Sequence, residues 1–164
     1  GLAIDPEGGR LYWAGFGEVS RSELDFANPV QVVAQPGQTA VAVVVQEGRL
    51  FWSNYESGTV RAGTIDALSG EVSNVTTIVS GLTFPTGLAF NPVDRKLYLL
   101  GDPTAGSSTT LGRVNRDGSA FENLTALRGW DLVPGFLEVV PTSTPTPTPT
   151  STPSASPTPT STVP

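Results

Sequence analysis

The chain has 164 residues, with nine Lys or Arg against fifteen Asp or Glu for a net charge of −6, and it contains no Cys, His or Met. Without Cys there are no disulfides, thiolate metal sites or cysteine nucleophiles, and without His the commonest general base and metal ligand is gone. The acidic balance argues against nucleic acid and anionic membrane surfaces, and no stretch reaches the roughly 20 apolar residues of a membrane span.

Three segments share one pattern. The first reads Gly1-Leu2-Ala3-Ile4-Asp5-Pro6 and then Arg10-Leu11-Tyr12-Trp13; the second, Ala40-Val41-Ala42-Val43 and then Arg49-Leu50-Phe51-Trp52; the third, Gly87-Leu88-Ala89-Phe90-Asn91-Pro92 and then Lys96-Leu97-Tyr98-Leu99. In each, the two apolar motifs are offset by ten residues, which aligns Ile4 with Val43. A Val-centred run follows (around Val19, Val60 and Val114), then a turn at Asp25, Asp66 or Asp117-Gly118. A fourth β-prone run closes each copy, at 30–33, 75–79 and 121–127. Short apolar, β-branched runs bounded by Gly, Pro, Asp and Asn predict strands, and no window holds a 3.6-residue period. The copies recur at 39 and 47 residues. Four strands in about 40–45 residues describe a propeller blade. The expected fold is therefore all-β, with propeller-like four-stranded repeats: about three blades plus one extra strand at 135–140, where Pro134 to Pro141 repeats the spacing of Pro85 to Pro92. Leu11, Trp13, Leu50, Trp52, Leu88, Ala89 and Leu97 are the expected core.

The motifs Gly-Leu-Ala-Ile-Asp-Pro (1–6), Leu-Tyr-Trp (11–13), Leu-Phe-Trp (50–52) and Leu-Tyr-Leu (97–99), with Arg21 and Arg116 at Val-x-Arg positions, resemble the YWTD-type propellers of the low-density-lipoprotein receptor family over residues 1–127. The resemblance implies protein recognition rather than catalysis. The family's acidic position, which ties neighbouring blades together, is Gly15, Asn54 and Gly101 here.

Asp5, Asp94 and Asp102 are the candidate carboxylates for hydrolysis or calcium, but Asp in a turn ordinarily bonds its own backbone. No enzyme activity, cofactor or metal is expected. Trp13 and Trp52 fall in the repeat and read as core. Trp130 lies outside it and, with Phe136, Leu137 and Val139, is a candidate partner contact. Asn74-Val75-Thr76 and Asn123-Leu124-Thr125 are N-glycosylation acceptor tripeptides at the start of the fourth strand of their copies.

From residue 141 onward every residue except Ala155 and Val163 is Pro, Thr or Ser, giving fourteen hydroxyls and no charge. Such a tract cannot bury enough apolar surface to fold, and alternating Thr-Pro prefers extended polyproline II. It reads as an O-glycosylated stalk, with Thr142, Thr144, Thr146, Thr148, Thr150, Thr152, Thr158, Thr160 and Thr162 as candidate acceptors. The expected division is 1–140 as repeat domain and 141–164 as stalk. The expected role is a non-enzymatic extracellular structural or adhesive module. Self-association through open sheet edges into a glycosylated filament or sheath is one form of it. The alternative is a ligand-binding propeller fragment of a larger cell-surface protein, with another extracellular protein as partner. Neither nucleic acid nor a membrane span is expected.

Overall fold

A computed structural model describes residues 1–101 and 110–124. It is all-β: β1 (Leu2–Asp5), β2 (Arg10–Glu23), β3 (Val30–Gln46), β4 (Arg49–Asn54), β5 (Thr59–Ile65), β6 (Val72–Val79), β7 (Pro85–Asn91), β8 (Lys96–Gly101), β9 (Thr110–Asn115) and β10 (Glu122–Asn123). All pairings are antiparallel, in the orders β1-β2-β3-β4-β5-β6 and β10-β9-β8-β7.

Two long strands hide the repeat. β2 would reach about 45 Å if straight, yet the side chains of Arg10 and Arg21 both lie against Gly70. The run folds back at Gly17, whose φ is +78°. Its first part pairs with β1, and Glu18–Arg21 pairs with Val30–Ala34 of β3. The later part of β3, Ala40–Gln46, pairs with β4 instead. The ten strands thus form three four-stranded blades: β1, the two halves of β2 and the start of β3; the rest of β3 with β4, β5 and β6; and β7 to β10. Each runs inner strand, second strand, third strand, outer strand. The turns between third and outer strand, at 24–29, 66–71 and 116–121, are called outer turns below.

The register corrects two alignments made from sequence. Ile4 faces Leu11 and Phe90 faces Leu97, but Leu50 faces Val45 rather than Val43. The cause is turn length. Glu47-Gly48 is a two-residue hairpin turn with both residues at positive φ (47° and 68°), whereas four residues join the strands in the other blades. A shift of two keeps every side chain on its face, so the apolar alternation survives. The inner strands of the second and third blades carry the same break in register, between Ala40 and Val43 and between Pro85 and Gly87, and at the former the Ala42 amide donates to the Ser53 hydroxyl at 3.1 Å. Second, Arg113, not Arg116, occupies the place of Arg21. Arg113 faces Tyr98 as Ala62 faces Phe51, and Ala62 and Arg21 each lie just beyond the same bulge, between Val60 and Arg61 or Val19 and Ser20.

Each joint between blades has its own core. Tyr12 and Val19 of the first blade pack with Val43, Leu50 and Trp52 of the second. Phe51, Val60 and Ala62 on the second blade's other face pack with Leu88, Leu97, Leu99 and Val114 of the third. Neighbouring residues of one strand thus serve opposite joints, as the two-residue period requires. The expected core residues are buried, with one exception: Trp13 is only half-buried. It is the counterpart of Trp52 and Leu99, but no described residue belongs to a blade in front of it. In the third copy the expected outer strand at 121–127 is described only as Glu122–Asn123. Phe121 lies before that strand, with its ring against Gly112.

Candidate functional site

The repeat makes the joints comparable position by position. Arg10, Arg49 and Lys96 open the second strand of the three blades. Arg10 reaches the next blade's outer turn, donating to the carbonyls of Ala67 (3.3 Å) and Leu68 (2.5 Å). Two further groups grip the same turn. The Tyr12 hydroxyl donates to the Gly70 carbonyl at 2.9 Å, and Arg21 donates to Glu71 at 3.3 Å. Burial, then the charge of Asp5, pushes the Tyr12 hydroxyl up to about 12, so it stays a neutral donor. Arg49 repeats the first contact at the second joint, donating to the Arg116 carbonyl at 2.7 Å. There the places of Tyr12 and Arg21 are taken by Phe51 and Ala62, both fully buried.

The third blade returns to the first blade's chemistry. Lys96, Tyr98 and Arg113 stand where Arg10, Tyr12 and Arg21 stand. They are held by acids of their own blade. Lys96 donates to Glu122 at 2.5 Å, Arg113 to the other Glu122 oxygen at 2.8 and 3.0 Å, and Tyr98 to Asp94 at 2.7 Å. The two cations hold the Glu122 carboxyl down at about 2. Sequence reasoning missed this trio, because aligning Val114 with Val19 and Val60 places Arg116 rather than Arg113 in register with Arg21. The pairing of a cation and a Tyr two residues apart (10 and 12, 96 and 98) was the available signal.

At the far end, the first blade exposes an apolar row. Leu2 and Ile4, 59% and 57% exposed, are the counterparts of Val43 and Val45 and of Leu88 and Phe90, which pack into the two joints. Leu24 and Phe26 on the first outer turn are also exposed, at 51% and 67%. Most of the exposed large apolar side chains among the described residues lie on this blade.

The other candidates resolve as structure. Asp5 is buried and accepts the Gly8 amide at 3.0 Å. Asp94 accepts the Lys96 amide as well as Tyr98. Asp66 and Asp117 each accept hydroxyl and amide bonds from Ser69 or Ser119 inside their turns, which holds both carboxyls below the ordinary range. No group of three or more Asp or Glu suited to a metal occurs among the described residues. An open cleft of about 470 Å³ between the second and third blades is lined by Arg49, Asp94, Arg95 and Arg116 among others. Its charges pair across the joint, with Arg95 (2.7 Å) and Arg116 both on Glu47.

Trp52 donates to Gln35 at 2.9 Å from the core of the first joint, in agreement with a packing role. Asn74 and Asn123 are exposed on β6 and β10, each an edge strand of its sheet. Asp102, Trp130, Phe136, Leu137, Val139, the extra strand at 135–140 and every candidate O-glycosylated Thr lie outside the described residues.

No family model matches the sequence, and no curated protein does. Among solved structures, the chain is similar to one in a nidogen/laminin complex, with a TM-score of 0.65 at 18% identity, covering 75% of this chain and 46% of that one. It is also similar to the hydrazine synthase of Kuenenia stuttgartiensis, with a TM-score of 0.58 at 12% identity, covering 75% and 36%. The chain spans less than half the length of either. At such identities the likeness is one of fold, and a fold carried both by a synthase and by a chain in a protein complex does not choose a function.

Proposed function

We propose that this chain is a non-enzymatic extracellular module that works by protein–protein contact through the ends of its blade stack, and that it associates with itself into a glycosylated filament or sheath. One observation carries the reading: among the described residues nothing covers Leu2 and Ile4, at positions that pack into a joint in the other two blades. An exposed apolar row at a repeat's interface positions is a surface shaped for a partner of the same architecture. Asp5 and Asp94, the candidate carboxylates among the described residues, are each engaged in hydrogen bonds of their own blade, which supports a non-catalytic role. The uncharged Pro/Thr/Ser tract from 141 to 164 supports an extracellular, O-glycosylated stalk, and Asn74 and Asn123 supply exposed N-glycan acceptors on edge strands, where a sugar would also block edge pairing. Sedimentation velocity of the full chain over a wide concentration range tests the association. Growth of large species with concentration is expected, and a single monomeric boundary throughout would refute it. Intact mass of native material, showing hexose ladders absent from bacterially expressed chain, tests the stalk.

A second reading is a ligand-binding propeller within a larger cell-surface protein. It is favoured by the chain's spanning only 46% of the chain in the nidogen/laminin complex. In that case further blades cover the same two ends.

A further inference from the structure

We infer that the third blade carries a latch for a second copy of this chain: Lys96, Tyr98 and Arg113 receive the outer turn of the second copy's first blade. This rests on the self-association proposed above and names its contact.

The internal repeat provides the control. At the first joint, a cation, a tyrosine and an arginine at these three positions grip the turn 66–71 by two carbonyls, a third carbonyl and a carboxylate. At the second joint, Phe51 and Ala62 replace the last two, and the contact is apolar. The two positions after the cation therefore hold either apolar side chains or donors to the turn, and the third blade has the donors. Those residues are already positioned. Glu122 holds Lys96 and Arg113 side by side, and Asp94 holds Tyr98. An ammonium has three N–H groups and a guanidinium five, so Lys96 and Arg113 keep donors for incoming carbonyls, whereas the single Tyr98 O–H, now on Asp94, must turn to the incoming carbonyl.

The complementary half is on the same chain. The first outer turn bends around Asp25, which accepts the Ala27 amide at 2.9 Å, as Asp66 accepts its own turn's amides. It carries the acid Asp25, with Glu23 beside it at the end of β2, to meet Lys96 and Arg113, and the apolar Leu2 and Ile4 lie on the same blade to be covered. Blade one of one copy on blade three of another continues the joint already made twice within the chain. The contact joins two different surfaces, so it propagates as a fibre unless its rotation closes a ring.

The test uses full-length chains in sedimentation velocity. Ile4→Asp spoils only the first-blade face, and as Ile4 is mostly exposed the fold should survive. Lys96→Glu spoils the third-blade face and also breaks the bond to Glu122, so its folding is checked by melting temperature and by its pairing with Ile4→Asp in the mixture. Each variant alone is expected to stay monomeric, with association weakened about a hundredfold or more by the buried or reversed charge. An equal mixture is expected to form dimers and stop, since each chain keeps one good face. Tyr98→Phe, which removes only a hydroxyl, should weaken wild-type assembly roughly two- to tenfold. Assembly that persists in both charge variants would leave self-association standing and overturn the latch. A wild-type chain monomeric at every concentration would overturn both readings.

Discussion

The two blade joints solve one packing problem with different chemistry. At the first, Tyr12 and Arg21 reach from the first blade to the second blade's outer turn and donate hydrogen bonds to it, and Trp52 donates to Gln35 within the core. At the second, Phe51, Val60 and Ala62 meet Leu88, Leu97 and Leu99 with no polar group among them, and the charged residues stand at the rim around Glu47. The backbone architecture is the same at both. The fold therefore asks only that the face be filled and its polar atoms paired. The specific residues decide which neighbour a face accepts.

Deleting the largest side chain at each joint should cost most. Trp52 and Phe51 are adjacent, point to opposite joints and are both fully buried. Trp52→Ala and Phe51→Ala are each expected to destabilise by about 3–5 kcal/mol, read by urea denaturation. If the joints unfold independently, Phe51→Ala should also split the transition into two steps, whereas one cooperative transition in both variants would mean the three blades melt as a unit.

The close approach of turn to blade differs between the joints. Gly70 and Gly118 both have positive φ, 74° and 91°. A β-carbon on Gly70 would meet the Arg10 and Arg21 side chains, which can shift only at the expense of their bonds to the turn, but on Gly118 it would lie 2.5 Å from the backbone oxygen of Ile78. Gly118→Ala should therefore lose more than Gly70→Ala, whose cost is the backbone strain of about 1–2 kcal/mol together with the loosened arginine contacts. Equal losses would show that the second turn moves as freely as the first.

Exchanging the aromatic residues sharpens the contrast at smaller cost. Tyr12→Phe leaves the Gly70 carbonyl without its donor and should cost about 1–2 kcal/mol. Phe51→Tyr puts a hydroxyl into an apolar joint, and a loss of about 1–3 kcal/mol is expected. A neutral Phe51→Tyr would show that a partner or water can enter there, and that the second joint is wetter than its residues indicate.

Much of this was legible in the sequence, for a physical reason. Alternation along Arg49–Asn54 and its counterparts fixes which side chains face which joint, and a two-residue slip leaves it intact. For that reason the expected core was buried even though Ile4 had been aligned with Val43 rather than Val45. What local pattern does not encode is turn length and bulge position. The tight turn at Glu47-Gly48 and the breaks at Val19/Ser20 and Val60/Arg61 exist only in the pairing between strands, so Arg113 could not be matched to Arg21 beforehand. Trp13 was misjudged because burial belongs to a joint, and a motif repeated three times looks the same with or without a neighbouring blade.

The smallest expected effect is the acid response of the third blade. Glu122 bridges Arg113 and Lys96, and their hydrogen bonds hold its carboxyl at about 2, well below the ordinary glutamate value of about 4.5. A depressed folded-state value means that the unfolded chain binds this proton first as pH falls. The stabilisation is thus present in full above about 4.5 and fades as pH drops from there towards 2. Glutamate in the unfolded chain is protonated over the same interval, so the loss is the difference between the two states. Because the group is open to solvent, salt should shrink the effect. Melting temperatures measured between pH 5 and pH 2, at low and high ionic strength, should show a decline that Glu122→Gln flattens. The corresponding change at the first joint, Glu71→Gln, should alter the profile less. If Glu122→Gln leaves the acid profile unchanged at low salt, the bridge does not tie β8 to β9 and β10, and the third blade's polar trio is held by packing alone.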